Sequence, residues 1–426
     1  MIQRLISFVG LFVLMGLAWL MSSRKKRLDL PIIVGGLVLQ FVLAVIMLWT
    51  PPGQWLFGAI EVAFNHFSGF VDQGAAFVFG DAATQQALSE GKPVPEDSPL
   101  NRIFFAFRVL PTIIVFASLM AILYYFGIMQ WIVNMLARLM QVTLRTSGAE
   151  SLAAAANVFV GHTEAPLVVR PYISGMTMSE LNAMMVGGFA TITGGLLAAY
   201  AGMGISAGHL VTASVISAPA ALLIAKIMQP EEDTPQTAGS IKVDVPRQGV
   251  NVIEAAAIGA SDGLKLAANV AVMLIAFLAL IAMVNAGIGA IGSWFGWEWS
   301  LEIALGILFS PIAWVMGIPW EECQHAGQLL GLKMVTNEFL AYDQLGRWME
   351  EDSTVKLSER TEFIMIYALS GFSNFGAIGI QLGGIGGLAP DRRSDLARLG
   401  LRAMIGGALA CCMTACIAGM LLSTTR

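Results

Sequence analysis

Charge is what this chain has least of. Asp, Glu, Lys and Arg make up 12% of its 426 residues, against roughly a quarter in soluble domains, which excludes an ordinary water-facing globule. Histidine and cysteine are equally sparse, at 4 each. Cys323, Cys411, Cys412 and Cys416 lack metal-ligand spacing and three of them share one apolar run, so they read as small packing residues rather than a zinc or disulfide framework. Neither His-Glu-x-x-His nor Gly-x-Ser-x-Gly occurs, so no catalytic set is visible and no enzyme or cofactor is expected. Gly384-Ile385-Gly386-Gly387-Leu388-Ala389 has dinucleotide-site spacing, yet no βαβ pattern surrounds it; it reads as a loop at a helix end. A net charge of −5 gives no reason to expect nucleic acid as a partner.

What the chain has instead is apolar length. Hydrophobic residues reach 56% and the mean hydropathy is +0.72, the composition of an all-α polytopic membrane protein. A spanning helix needs roughly 20 apolar residues, and eight runs qualify: 4–22, 31–50, 103–128, 181–205, 206–228, 267–292, 361–388 and 400–422. The cluster Arg24-Lys25-Lys26-Arg27 after the first run marks the inner side by the positive-inside rule. Both termini are then expected outside. The first run lacks an Ala-x-Ala exit and carries its positive charge afterwards, so it is expected to be retained rather than cleaved.

Two stretches are too polar and too short to span. From Glu150 to about Ser174, an Ala-rich arm meets Gly161, turns at Thr163-Glu164-Ala165-Pro166 and runs back; at 1.5 Å per residue each arm covers about 15 to 20 Å, half a bilayer. Residues 301–342 repeat the pattern, with an apolar arm Leu301–Met316, a tip at Gly317-Ile318-Pro319-Trp320 and a return arm ending in Asn337-Glu338. Both read as re-entrant hairpins, tolerated at that depth where protein or a cavity surrounds them. Each is followed by a run interrupted by small and polar residues, at Gly187–Gly195 and at Gly371–Gly376. Interrupted segments in corresponding places of two halves point to an inverted-repeat transporter with its site at the midplane.

The expected organisation follows. Residues 1–128 hold N-terminal spans, mainly scaffold, with Gly80–Pro99 as an outside loop. Residues 129–228 hold an interfacial helix (Trp131–Arg145), the first hairpin and the first broken helix. A polar inner linker spans 229–250, an interfacial helix and a scaffold span occupy 251–300, and 301–426 carry the second hairpin, the second broken helix and the last span.

Ionisable groups at membrane depth are read as a substrate or ion pathway. Glu164 and Glu338 are the leading candidates, since buried carboxylates must be protonated, paired or hydrogen-bonded and a hydroxylated, N–H-bearing substrate would satisfy them. The bland alternative is a structural ion pair of Glu164 with Arg170. His162 could donate to a polar ring or merely cap the tip. Asn157 and Thr191 supply oxygens beside backbone freed at a hairpin arm and a helix break, as a hard monovalent cation requires; helix-to-helix hydrogen bonding is their alternative. Asn374 and Phe372 could offer an amide and a stacking face.

In Gly161-x-Thr163-Glu164-Ala165-Pro166-Leu167, Asn337-Glu338-Phe339-x-Ala341-Tyr342, Gly371-Phe372-x-Asn374-Phe375 and Leu388-Ala389-Pro390-x-Arg392-Arg393, the chain resembles the concentrative nucleoside transporter family over essentially its whole length. The resemblance implies a homotrimer moving a nucleoside and a cation by elevator-type alternating access. It implies that His162, Thr163 and Glu164 face the nucleobase with Leu196 lining it, that Glu338 and Asn374 bind the ribose hydroxyls with Phe372 lining the pocket, and that Asn157, Val160, Thr191 and Ile192 hold sodium. Two positions depart from the family's pattern. His162 stands where Gln is usual, which bears on base selectivity and keeps a proton route open. Gly376-Ala377 stands where Ser-Ser is usual, which removes a hydroxyl from the ribose side. The implied activity is cation-coupled uptake. The alternatives are a proton-coupled importer of nucleosides or related polar heterocycles and a non-transporting nucleoside-sensing receptor.

Overall fold

The computed structural model describes residues 2–79, 105–239, 249–293, 299–350 and 353–421. Every regular element among them is helical. In chain order these are α1 (Ile2–Leu20), α2 (Leu30–Trp49), α3 (Pro51–Phe79), α4 (Leu110–Tyr125), α5 (Ile128–Leu144), α6 (Gly148–Asn157), α7 (Ala165–Val168), α8 (Arg170–Ile173), α9 (Met178–Ala190) and α10 (Gly194–Gly202). They continue as α11 (Ala207–Met228), α12 (Val252–Ser293), α13 (Leu301–Val315), α14 (Cys323–Val335), α15 (Glu338–Met349), α16 (Glu359–Leu369), α17 (Phe375–Leu388) and α18 (Arg393–Leu421).

Six stretches are long and apolar enough to cross a membrane: α1, α2, α9 with α10, α11, α12 and residues 390–421. α4 bends by 78° into α5, so α5 turns sharply off the direction of α4, and its alternation of apolar residues with Arg138 suits an element lying along the interface. The core is built around α9, α11 and α18, whose helices are buried along most of their length. α12 is the opposite case. It packs on α4 through Gly259 and Gly263, small residues that let two backbones approach closely, and most of its surface is apolar and uncovered.

Residues 51–79 form one 29-residue helix; Pro51 and Pro52 occupy its first turn, where a missing N–H costs nothing. Several expectations are corrected elsewhere in the chain. The Gly80–Pro99 loop and part of the 229–250 linker lie outside the described residues. No separate interfacial helix precedes the span at 267–292, because α12 runs unbroken through 42 residues, about 63 Å. Gly384 to Leu388 are the helical last turns of α17 rather than a loop.

The second hairpin is the largest correction. Gly317–Trp320 is a turn, but it joins α13 to α14, and Glu338 stands at a later break, after Thr336, between α14 and α15. The apolarity of 301–315 resembled a hairpin arm; by order it corresponds to α5. The two halves then match element for element: α4 with α12, α5 with α13, α6 to α8 with α14 and α15, α9/α10 with α16/α17, and α11 with α18.

A buried polar knot ties the first hairpin to its surroundings. Lys226 near the end of α11 places Nζ 2.7 Å from Glu150 Oε2, with side chains 4% and 1% exposed. The same ammonium donates to Ser179 Oγ at 2.9 Å and reaches Glu231 at 3.3 Å. Capping boxes Ser147/Glu150 and Thr177/Glu180 start α6 and α9, and Ser147 Oγ donates to Glu180 Oε1 at 2.5 Å. Removing one partner leaves an uncompensated buried charge. Lys226→Met is therefore expected to lower the stability of the purified protein by about 3 to 5 kcal/mol, and Lys226→Met with Glu150→Gln to recover most of that loss in thermal melts. A single variant as stable as the parent would contradict the assignment.

Candidate functional site

Two helix breaks meet at the centre of the molecule. The first, Thr191-Ile192-Thr193, separates α9 from α10; the second, Ser370 to Asn374, separates α16 from α17. Side chains stitch them together. Ser373 Oγ donates to the Phe189 carbonyl at 2.8 Å, and Cys411 Sγ lies 3.1 Å from the Ser370 carbonyl and 3.5 Å from that of Ala190. Cys411 is thus more than a packing residue: its thiol spans both breaks. Gly371 is required here, because a Cβ would sit 2.6 Å from the Phe189 oxygen and 2.7 Å from Cys411 Sγ.

Each break restarts a helix through a capping side chain. Thr193 Oγ1 accepts the Leu196 N–H at 3.2 Å, and Asn374 Oδ1 accepts that of Ala377 at 2.8 Å. The second hairpin tip does the same, with Asn337 Oδ1 accepting the Leu340 N–H at 3.0 Å. Capping satisfies amides that a buried helix start would leave orphaned.

On the second break, Glu338 and Asn374 are brought together as expected. Glu338 is 3% exposed; its Oε2 accepts from Asn374 Nδ2 at 3.1 Å and its Oε1 from the Tyr200 hydroxyl at 3.0 Å. Tyr200 was not anticipated from the sequence. It lies one turn beyond Leu196 on α10, so the two share a face, and that spacing after a broken helix was the available signal. Tyr200 packs on Tyr342, ring centroids 4.6 Å apart, and Tyr342 in turn donates to the Ile366 carbonyl at 2.7 Å.

His162 and Phe372 also meet, edge to face, with centroids 4.8 Å apart at 78°. Both are buried, and His162 Nδ1 has no partner. Gly188 admits this approach, since a Cβ there would lie 2.6 Å from His162 Cβ and 2.7 Å from Gln381 Nε2. Gln381, another unanticipated residue, donates to the Met185 carbonyl at 3.2 Å while its own oxygen is unpaired. Thr163 rests over Gly384 of α17. Glu164 is exposed, with its Oε2 folded over Gly161 beside the Thr193 methyl, and among the described residues it makes no ion pair with Arg170.

The four residues of the expected cation site gather at the end of α6 and the first break. Asn157 is 1% exposed and both its amide atoms lack partners; Nδ2 would be 3.1 Å from a Cβ on Gly187. The Gly194 N–H donates to the Phe159 carbonyl at 3.1 Å, which fixes the hairpin against the break. Thr191 Oγ1 donates to the Gly187 carbonyl at 2.9 Å, leaving its lone pairs free. No hydrogen bond from a described residue reaches the carbonyls of Val160, Thr191 or Ile192. Oxygen-rich, acid-free and dry, this cluster suits a monovalent cation.

Three family models match in register along the chain: "Na+ dependent nucleoside transporter N-terminus" at 9–82, "Nucleoside recognition" at 106–207 and "Na+ dependent nucleoside transporter C-terminus" at 209–419. The chain belongs to the concentrative nucleoside transporter family. Within it, an uncharacterized transporter of Haemophilus influenzae is 43% identical over 97% of both chains. Solute carrier family 28 member 3 of Mus musculus is 41% identical over 99% of this chain, and sodium/nucleoside cotransporter 1 of Rattus norvegicus 39% over 98%. This chain spans 59% and 64% of those two rodent proteins. Among solved structures, CNTnw in an inward-facing substrate-bound state is 41% identical with a TM-score of 0.90, covering 98% of this chain and 97% of that one. A substituted CNTnw in an outward-facing state scores 0.89 over the same shares. The concentrative transporter fold is therefore that of a helical membrane protein.

Tyr200→Phe removes one donor from Glu338 and leaves the packing. A hydrogen bond to a charged group contributes about 1.5 kcal/mol or more, so the apparent KM for nucleoside uptake is expected to rise about tenfold or more with assembly unchanged. An unaltered KM would place Tyr200 outside the site.

Proposed function

We propose that this chain carries nucleosides inward across the membrane together with sodium, by alternating access. The observation that carries the reading is the pairing of two buried polar clusters at adjoining helix breaks. At one, the Asn157 amide and three carbonyls have no hydrogen-bond partner among the described residues; at the other, Glu338 accepts hydrogen bonds from the neutral Tyr200 and Asn374 side chains. A ribose diol, able to donate to Glu338 and accept from Asn374, completes the second. Sodium completes the first. His162, Thr163 and Glu164, with Leu196 and Phe372, face the base.

The comparisons support this reading. Relatives named as sodium/nucleoside cotransporters share about two-fifths of the sequence, and structures of CNTnw in inward-facing and outward-facing states share the fold. Eight spans result when α4 and the pair α16/α17 are added to the six long apolar stretches, with α6 to α8 and α14 to α15 as re-entrant hairpins. Arg24 to Arg27 set the termini outside a bacterial inner membrane. The long apolar face of α12 is where protomers of a homotrimer would meet, against lipid on the remaining surface. Residues 1–128 read mainly as scaffold, and the hairpins and broken helices as the moving part.

Ala377 shapes the ribose side. Its methyl is 2% exposed at the start of α17, where a serine hydroxyl would otherwise reach the sugar, so deoxyribonucleosides should compete nearly as well as ribonucleosides. Proton coupling is the second reading, and the unpaired His162 Nδ1 favours it. One cation gains about 2.3 kcal/mol per 100 mV, and a tenfold gradient adds about 1.4 kcal/mol, enough for roughly 500-fold accumulation.

The test is uptake of a nucleoside panel into proteoliposomes, with sodium exchanged for choline at two pH values. Sodium-dependent accumulation is expected, lost in Glu338→Gln while trimers still form and shifted to higher sodium in Asn157→Ala. Transport by Glu338→Gln at the parent rate, or an unmoved sodium titration in Asn157→Ala, would sink the respective assignment. Absence of any counterflow would leave a sensing receptor.

A further inference from the structure

Lys333 is a buried charge that touches neither cluster directly, although its ammonium acts electrostatically on Glu338. It is 1% exposed, its Nζ donates to the Ala368 carbonyl at 2.9 Å, and among the described residues it makes no ion pair. An ammonium has three donors and no acceptor. Taking one out of water without a counter-ion in contact is costly, and a charge inside a membrane protein is a functional group by default.

Its place in the fold supplies the reason. In the first half, Asn157 ends the first hairpin arm, α6, and lies against Gly187 in the last turns of α9. In the second half, Lys333 sits in the last turn of the corresponding arm, α14, and reaches Ala368 in the last turn of α16. The same two helix ends converge in both repeats. Helix C-termini carry unmatched carbonyls and the negative end of the helix dipole, so each convergence attracts positive charge. The first repeat answers with an unpaired neutral amide and bare carbonyls. The second answers with a cation on a side chain.

We propose that Lys333 is a tethered cation, its ammonium filling in the second repeat the place that the mobile cation takes in the first. The inference rests on the sodium site proposed at Asn157. It makes the second junction permanently loaded, so Asn337, Glu338 and Asn374 stay assembled whether or not sodium is present. The first junction is completed only when sodium arrives. Coupling then runs through the His162 to Glu164 side, and one mobile cation moves per nucleoside.

Lys333→Asn gives the second repeat the side chain of the first. Sodium activation of nucleoside uptake in proteoliposomes is expected to steepen from a Hill coefficient of about 1 toward about 2, while Lys333→Arg, which keeps a tethered charge, stays at about 1. In detergent, sodium should raise the melting temperature of Lys333→Asn more than that of the parent, because a second ion now stabilises the fold. An Lys333→Asn titration identical to the parent's, or a variant that stays unfolded even in saturating sodium, would overturn the proposal. A parent protein with no sodium response at all would instead overturn the Asn157 site.

Discussion

Backbone groups freed in the middle of a membrane protein must find partners, and this fold is arranged around that requirement. Two helices stop and restart where no water is at hand to hydrogen-bond them. Placing the two breaks against each other solves most of the problem, with Ser373, Cys411, Thr193 and Asn374 supplying the missing donors and acceptors. At the first break the Asn157 amide and the carbonyls of Val160, Thr191 and Ile192 stay without a partner among the described residues, and at the second Glu338 is held by Tyr200 and Asn374.

The two clusters differ in kind, which makes coupling between substrate and ion a natural property of the architecture. Carbonyls of Val160, Thr191 and Ile192 with the Asn157 amide offer oxygen without formal charge, suited to an alkali cation. Glu338 with Tyr200 and Asn374 offers charge with neutral donors, suited to hydroxyl groups. Because the Gly194 N–H bonds to Phe159, ordering the first spot also fixes the segment that carries His162, and His162 lies against Phe372 of the second break. An ion held at one break thus biases the geometry of the other. A ligand shifts an equilibrium only through such differential contacts.

The legible parts of the sequence were those where polar chemistry interrupts apolar runs. Glu164, Glu338, Asn157 and the Gly371 to Gly376 break stood out because their cost in lipid needs a reason, and the structure brings Glu338 to Asn374 and His162 to Phe372. Tyr200, Gln381 and Cys411 were invisible for the converse reason: within an apolar helix, an aromatic, an amide or a thiol looks like packing until its partner across the fold is known. The apex of the second hairpin was misplaced because an apolar amphipathic helix such as α13 has the same composition as a hairpin arm.

The central claim is that substrate and ion complete one buried network together. Equilibrium binding of labelled uridine to the purified protein, in sodium and then in choline at equal ionic strength, tests it most directly. The account predicts at least about tenfold tighter binding in sodium, a coupling of about 1.4 kcal/mol. Equal affinity in the two salts would contradict it.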